Sequence, residues 1–115
     1  MKNLLILITI MLVGGCASTI PTMKSVVGEY ENKGEDGITH KHVYLENGVF
    51  EEYVNDKKPH VARWKIVDGK IHTHHSGRLF WVYRINSDKS LTHIGIINNE
   101  KWTQYRNPPI YKKIK

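Results

Sequence analysis

Cysteine is almost absent from this sequence, since Cys16 is the only one among 115 residues. An intramolecular disulfide is therefore excluded, and apolar packing must hold the fold together. No apolar run reaches the roughly twenty residues that a bilayer-spanning helix needs. A Gly-x-Ser-x-Gly nucleophile motif is also missing, and the adjacent Glu51 and Glu52 would point to opposite faces of a strand. We therefore predict that the protein is not an enzyme and uses no cofactor.

The N-terminus has the features of a secretory signal peptide. Lys2 supplies a positive charge, and a short apolar run follows it and ends in small residues. The segment LVGGC resembles the lipobox of bacterial lipoproteins, with Val13 in the aliphatic position and Cys16 as the lipidated residue. The resemblance implies that residues 1–15 are removed and that the thiol of Cys16 carries a diacylglyceryl group. The alternative is a free thiol beside an ordinary signal peptide.

A lipidated cysteine would anchor the mature chain in the membrane of a bacterial cell envelope. Each buried methylene contributes about 0.8 kcal/mol, so two or more acyl chains hold stably. Ala17 rather than Asp follows the cysteine. By the sorting rule of Gram-negative lipoproteins, this implies the outer membrane in such a host. Residues 16–24 are interpreted as the lipidated cysteine and a tether, and residues 25–115 as one domain.

Short β-type runs separated by frequent turn signals make up this domain. Asn47-Gly48 lies between alternating runs and is a strong signal for a hairpin with a two-residue turn, and Asp68-Gly69 predicts a second hairpin. No stretch shows a helical period. The predicted fold class is all-β, an antiparallel meander of about eight short strands that curls into a small barrel or half-barrel. The last run, IYKKIK, is predicted to be an edge strand protected by its lysines.

Alternation along each run predicts which side chains point inward. Val43 and Leu45 share the face assigned to the interior, and in a later strand His93 shares a face with Gly95 and Ile97. Large aromatic side chains are expected to supply most of the core. These are Trp64, Trp81, Trp102, Phe50 and Phe80.

A second resemblance covers most of the mature chain. The segment VVGEYENKG, the short hairpins after it and the terminal YKKIK resemble the small lipocalin-like domains of bacterial exported proteins. Those domains often open with Gly-x-Trp or Gly-x-Tyr, which Gly28 and Tyr30 would supply. The resemblance implies a lipocalin-like barrel with Arg106 packed over the aromatic ring. Its partner would be a small apolar ligand or another envelope component.

Histidines are concentrated in the segment IHTHHSG, which holds three of the seven. On a strand His72 and His74 share one face, so both imidazoles face solvent if Ile71 points to the core. Their spacing of roughly 6 to 7 Å suits two ligands of one zinc or copper ion. His40 and His42 repeat the pattern, but all four could meet only if the two strands were neighbours. A metal site at these four residues is one hypothesis, and hydrogen-bonded or exposed surface histidines are the other.

Charge is distributed unevenly along the chain. Residues 24–56 carry three lysines against eight acidic residues, whereas residues 57–115 carry thirteen lysines and arginines against three acidic residues. The basic half could bind anionic lipid, lipopolysaccharide or cell-wall polymer. Alternatively, acidic and basic strands could form solvated faces that neutralise each other across the sheet. Nucleic acid is not expected as a partner of an exported lipoprotein.

Three functional hypotheses follow from the sequence. The first is a membrane-anchored lipoprotein that acts as a non-enzymatic binding or envelope-structure module, with its ligand-binding residues not identified. The second is a histidine-based zinc- or copper-binding lipoprotein. The third is an inhibitor or immunity-type protein that binds an envelope enzyme.

Overall fold

Antiparallel strands make up most of residues 21–115, the part of the chain that the computed structural model describes. A helical turn, α1 (Met23–Val26), precedes them. The strands are β1 (Gly28–Lys33), β2 (Thr39–Tyr44), β3 (Val49–Val54), β4 (His60–Val67), β5 (Lys70–Ser76), β6 (Leu79–Ile85), β7 (Leu91–Asn98), β8 (Lys101–Gln104) and β9 (Ile110–Lys113). Within these described residues, no helix has the length and apolar character needed to cross a membrane.

The sheet closes on itself into a barrel of eight strands. Strands β1 to β7 pair in chain order, and β9 returns to lie between β7 and β1. Tyr30 of β1 pairs with Lys113 of β9, and Leu91 of β7 pairs with Tyr111 of β9. The predicted all-β antiparallel fold class is therefore confirmed. The prediction that the C-terminal run is an edge strand is wrong, because β9 is hydrogen-bonded on both sides and completes the ring.

The extra strand is β8, which pairs with β7 alone. One edge of β7 serves two partners in succession, since Leu91 and Thr92 pair with β9 whereas residues 95–98 pair with β8. All four residues of β8 are exposed. An edge strand this short, beginning with Lys101, is typical of edges that avoid pairing with other chains.

Both hairpins predicted from Asn-Gly and Asp-Gly are confirmed, but the predicted two-residue turn at Asn47-Gly48 is wrong: Leu45 N–H donates to the Val49 carbonyl, which leaves a three-residue loop. Asp68 and Gly69 join β4 to β5 with φ angles of 52° and 77°, the positive values that a tight two-residue hairpin turn needs. In the β2–β3 connection, Gly48 has φ 84°, and the Asn47 side chain accepts a hydrogen bond from the Val49 amide at 3.1 Å. Local turn chemistry therefore sets the register of these strand pairs.

One end of the barrel is covered by α1. Thr22 and Ser25 form a reciprocal capping box that fixes the start of this turn. Val26 is buried, and the hydroxyl of Tyr30 donates to its carbonyl oxygen at 2.7 Å. Met23 packs against the same core. The segment predicted to be a tether up to residue 24 therefore overlaps with the cap of the barrel.

Aromatic side chains from successive strands fill the interior. Tyr30 contacts Tyr44 edge-on at 5.4 Å between ring centroids, and Tyr44 contacts Trp64 edge-on at 5.3 Å. The buried aromatic residues are Tyr30, Tyr44, Phe50, Trp64, Tyr83 and Tyr111. Tyrosines thus supply much of the core that was expected from tryptophan and phenylalanine, and Trp102 is 47% exposed. Because the strands, the cap and this core all lie within residues 22–115, we expect residues 21–115 to fold on their own.

Two of the predicted strand faces are wrong. On β2, His42 and Tyr44 are fully buried and Val43 lies on the outer face. On β7, a bulge at Ile94 changes the alternation, because Val82 pairs with Gly95 whereas the next residue of β6 pairs with His93. His93 therefore points inward, while Gly95 faces outward.

The cation over the Tyr30 ring is Lys113, not Arg106 as the lipocalin-like resemblance implied. Arg106 is exposed, and Lys113 of β9 lies over the Tyr30 ring with its ammonium 5.8 Å from the centroid. The closing strand supplies this cation because it pairs directly with β1 at Tyr30.

Candidate functional site

Histidines converge on the end of the barrel away from α1, where His42 and His93 are buried and His60 is exposed. The register brings them there, since His40 pairs with Asn32 near the end of β1, and Glu52 pairs with both His42 and His60. Five of the seven histidines contribute, with one carboxylate, Glu52. We call this group the histidine cluster: His40, His42, His60, His75 and His93 with Glu52.

The centre of the histidine cluster is an imidazole–carboxylate pair. His42 Nε2 lies 3.0 Å from Glu52 Oε2, and His40 Nδ1 lies 3.6 Å from the same oxygen. Burial lowers the pKa of His42, although the bond to Glu52 opposes this. Burial by itself would raise the pKa of the Glu52 carboxyl, but the hydrogen bond from His42 brings it below the usual value. The pair is therefore a neutral imidazole that donates to a carboxylate.

The His75 ring points inward from β5 and stacks against the rings of Trp81 and His60. Its ring lies 3.7 Å from that of Trp81 and 5.3 Å from that of His60, and Thr73 Oγ1 is 2.7 Å from its Nε2. Burial, followed by the nearby His60, lowers the pKa of His75 to about 4. Its alternation with the inward-pointing Ile71 and Thr73 was a sequence signal for this position.

His93 is the most enclosed part of the cluster after His42. It is 7% exposed, and its ring stacks on Tyr83 at 4.5 Å. Burial, followed by repulsion from His42, lowers the pKa of His93 to about 4. Among residues 21–115 its Nε2 has no hydrogen-bond partner. At neutral pH His42, His75 and His93 are therefore uncharged packing elements, and protonation of these three in acid would place positive charge inside the barrel.

His72 and His74 lie on the opposite side of the wall. Ile71 points into the core, so the condition stated from the sequence is met, and the two imidazoles point outward, where both line one cleft. His74 stacks on Phe80 at 4.7 Å, and its Nε2 lies 2.7 Å from the carbonyl oxygen of Gly77.

The structure does not bring the four predicted metal ligands together. His40 and His42 converge on Glu52 inside the barrel, whereas His72 and His74 line the outer surface. Within residues 21–115 no three His, Cys, Asp or Glu side chains are arranged to hold a metal ion. The metal hypothesis stays a prediction, and zinc or copper titration by calorimetry, with and without His72→Ala/His74→Ala, tests it.

The outer face of β4 to β8 carries two neighbouring clefts, of about 450 and 350 Å³, which share His72. We call them together the outer-wall groove. The first is lined by Arg63, Trp64, Lys65, His72, His74 and Phe80. The second is lined by Val67, Asp68, Lys70, His72, Val82, Ile94, Ile97 and Trp102. The groove thus joins an apolar aromatic strip to a cationic rim.

Comparisons with protein-family models, curated proteins and solved structures find no match to this chain. The fold itself defines the class: a small, closed, eight-stranded antiparallel β-barrel of the kind that a lipocalin-like domain has. The predicted signal peptide and Cys16 fall outside the described residues.

Proposed function

We propose that this protein is a membrane-anchored bacterial lipoprotein whose barrel is a non-enzymatic binding module of the cell envelope. The lipobox-like segment ending in Cys16 supports the anchor. The observation that carries the binding role is the outer-wall groove, where the half-exposed Trp102 lies beside apolar side chains on the barrel surface. A large exposed aromatic in such a setting is typical of binding surfaces.

Aromatic side chains fill the barrel interior and leave the outer wall as the place for a ligand. Tyr44, Phe50 and Tyr83 are completely buried among other rings along the barrel axis. A ligand at that position would have to displace them, at a cost of roughly 2 to 3 kcal/mol for each ring. We therefore place the proposed ligand site on the outer wall.

We propose a non-enzymatic role because the imidazole–carboxylate pair of His42 and Glu52 is enclosed in the barrel. His42 is 0% exposed, and its ring stacks on Tyr111 at 4.1 Å. A general base must reach the proton that it removes. An imidazole enclosed in this way serves packing and hydrogen bonding.

The anchor is tested with the full chain expressed in a bacterium fed radiolabelled fatty acid. We expect label on the protein and recovery in the membrane fraction, and Cys16→Ala should abolish both. Unlabelled wild-type protein in the soluble fraction would contradict the anchor.

The binding role is tested separately with residues 21–115 and an apolar fluorescent dye. Trp102→Ala should weaken dye binding, because it removes the largest exposed apolar surface of the groove. Ile110→Ala is the matched control, since Ile110 is 49% exposed but lies on β9 outside the groove. Equal binding by the two variants, or no binding by the wild type, would contradict a site on this wall.

A further inference from the structure

Trp102 packs closely against β7 in the outer-wall groove. It lies on β8 and pairs with Ile97 of β7, while its ring lies across Gly95. A Cβ at Gly95 would come within 2.8 Å of the Trp102 ring. Absence of a side chain there lets the indole lie close to the backbone of β7. Trp102 remains 47% exposed and lines the cleft together with Ile94.

Positive charge surrounds this aromatic strip. Arg63, Lys65 and Lys70 line the two clefts, and Asp68 is the one acidic residue that lines them. Within the described part of the chain, the ion pairs involve β1 to β3 and the turn after β3, and none includes these three cations. The groove therefore has a net positive rim that its own side chains do not neutralise.

His72 lies at the junction of the two clefts, and the positive rim affects its pKa. Its pKa is lowered by burial and then by the charges of Lys65 and Lys70. The imidazole is consequently neutral at pH 7 and has one donor and one acceptor nitrogen, beside Lys65, its partner across β4 and β5, and Lys70, two residues earlier on the same face. The arrangement provides a hydrogen-bonding centre between flanking cations.

We propose that the outer-wall groove binds anionic phospholipid at a bilayer surface, with the headgroup phosphate at Lys65, His72 and Lys70. The apolar strip of Trp102, Ile94 and Ile97 would then enter the interface beside the acyl chains. An indole flanked by basic side chains is the combination that favours the boundary between headgroups and hydrocarbon. A soluble anion would use the cations but leave the apolar strip in water. This inference rests on the proposed function, since it names the ligand class of the same wall.

The test uses residues 21–115 and vesicles of phosphatidylcholine with or without phosphatidylglycerol. We expect binding to the vesicles that contain phosphatidylglycerol and a loss of binding as salt is added. Lipids brominated in the acyl chain should quench the exposed indole, and Trp102→Phe should remove that quenching. Lys65→Gln/Lys70→Gln should weaken binding about 30-fold, which corresponds to about 2 kcal/mol for two cations at the surface.

The matched control is Lys57→Gln/Lys58→Gln, which removes the same charge from an exposed turn. Its binding should stay within a few-fold of wild type. Equal loss in both double variants would overturn the site, because net charge alone would then explain binding. Equal binding to vesicles without phosphatidylglycerol, no quenching, or competition by an acidic peptide at the same affinity would overturn the phospholipid. A circular dichroism spectrum of each variant establishes that the barrel is folded.

Separate measurements test the membrane anchor, the binding role of the groove and its preference for anionic phospholipid. Vesicle binding by residues 21–115 does not involve Cys16, so loss of the anchor leaves this test unaffected. Dye binding that depends on Trp102, without preference for phosphatidylglycerol, would retain the binding module and reject the phospholipid.

Discussion

Replacing His93 with phenylalanine should remove much of the acid sensitivity of the barrel. His93 faces His42 from β2, Glu52 from β3, His75 from β5, and Tyr105 after β8. Glu52, which already bonds to His42, is the carboxylate among these groups. An added proton on His93 would therefore meet other histidines and aromatic rings, with little to stabilise it.

The magnitude follows from the two protonation equilibria. In the unfolded chain His93 binds a proton near its usual pKa of 6.5, whereas in the barrel burial lowers the pKa to about 4. Between these values the unfolded state binds more protons, so the free energy of unfolding falls as pH falls. The full stability is present above pH 6.5, and about 3 kcal/mol is lost by pH 4, at about 1.4 kcal/mol for each pH unit. His75, whose pKa is also lowered to about 4, adds to the same slope.

Urea unfolding of residues 21–115, followed by circular dichroism at a series of pH values, measures this slope. His93→Phe keeps a ring against Tyr83, and its stability should fall by about 3 kcal/mol less than that of wild type from pH 7 to pH 4. Tyr83→Phe is the control, because it removes a buried hydroxyl but no group that titrates in this range. An unchanged slope in His93→Phe would refute the conclusion that this imidazole is buried and neutral.

Three further predictions concern the contacts that hold the barrel, each measured by urea unfolding with circular dichroism. Tyr30→Phe removes the hydrogen bond to the Val26 carbonyl and should lower the free energy of unfolding by about 1 kcal/mol. An unchanged free energy of unfolding would mean that this bond does not hold α1 on the barrel. Trp64→Phe removes the 3.0 Å bond to the Leu45 carbonyl and leaves a cavity, for about 2 kcal/mol. Gly95→Ala would push a methyl group into the backbone of β8, and faster amide exchange in β8 with slight change in the rest of the barrel should accompany a loss of roughly 1 to 3 kcal/mol. Uniform exchange across all strands would show that β8 is not the element displaced.

The candidate sites were only partly predictable from sequence. Alternation correctly indicated that His72 and His74 share the face opposite Ile71, because strand parity is a local property, and the burial of Ile71 in the core places that face outward. The same reasoning failed for β2, where His42 and Val43 alternate equally well under either assignment. Which face of β2 points inward depended on Glu52 of the neighbouring strand, which gives the buried His42 a hydrogen-bond partner.

Long-range pairing also lay beyond what local patterns could predict. The lysine-rich β9 resembles a protected edge strand, yet it inserts between β7 and β1 and closes the ring. The bulge at Ile94 turns His93 inward and Gly95 outward, and no turn residue marks it in the sequence. The position of Trp102 on the outer wall follows from that bulge and from β8 pairing with β7.

The sequence by itself determined the all-β class, the hairpins at Asn47-Gly48 and Asp68-Gly69, and the placement of His72 and His74 on one face of a strand. Each of these depends on φ preference or on alternation within a few neighbouring residues, so a short segment contains all the information required. Tertiary structure alone decided that β9 closes the barrel, that most of the histidines gather around Glu52, and that Trp102 lies on the outer wall. Those features depend on pairing between residues far apart in the chain, such as Tyr30 with Lys113, where packing of the whole interior selects one register among several that local patterns allow.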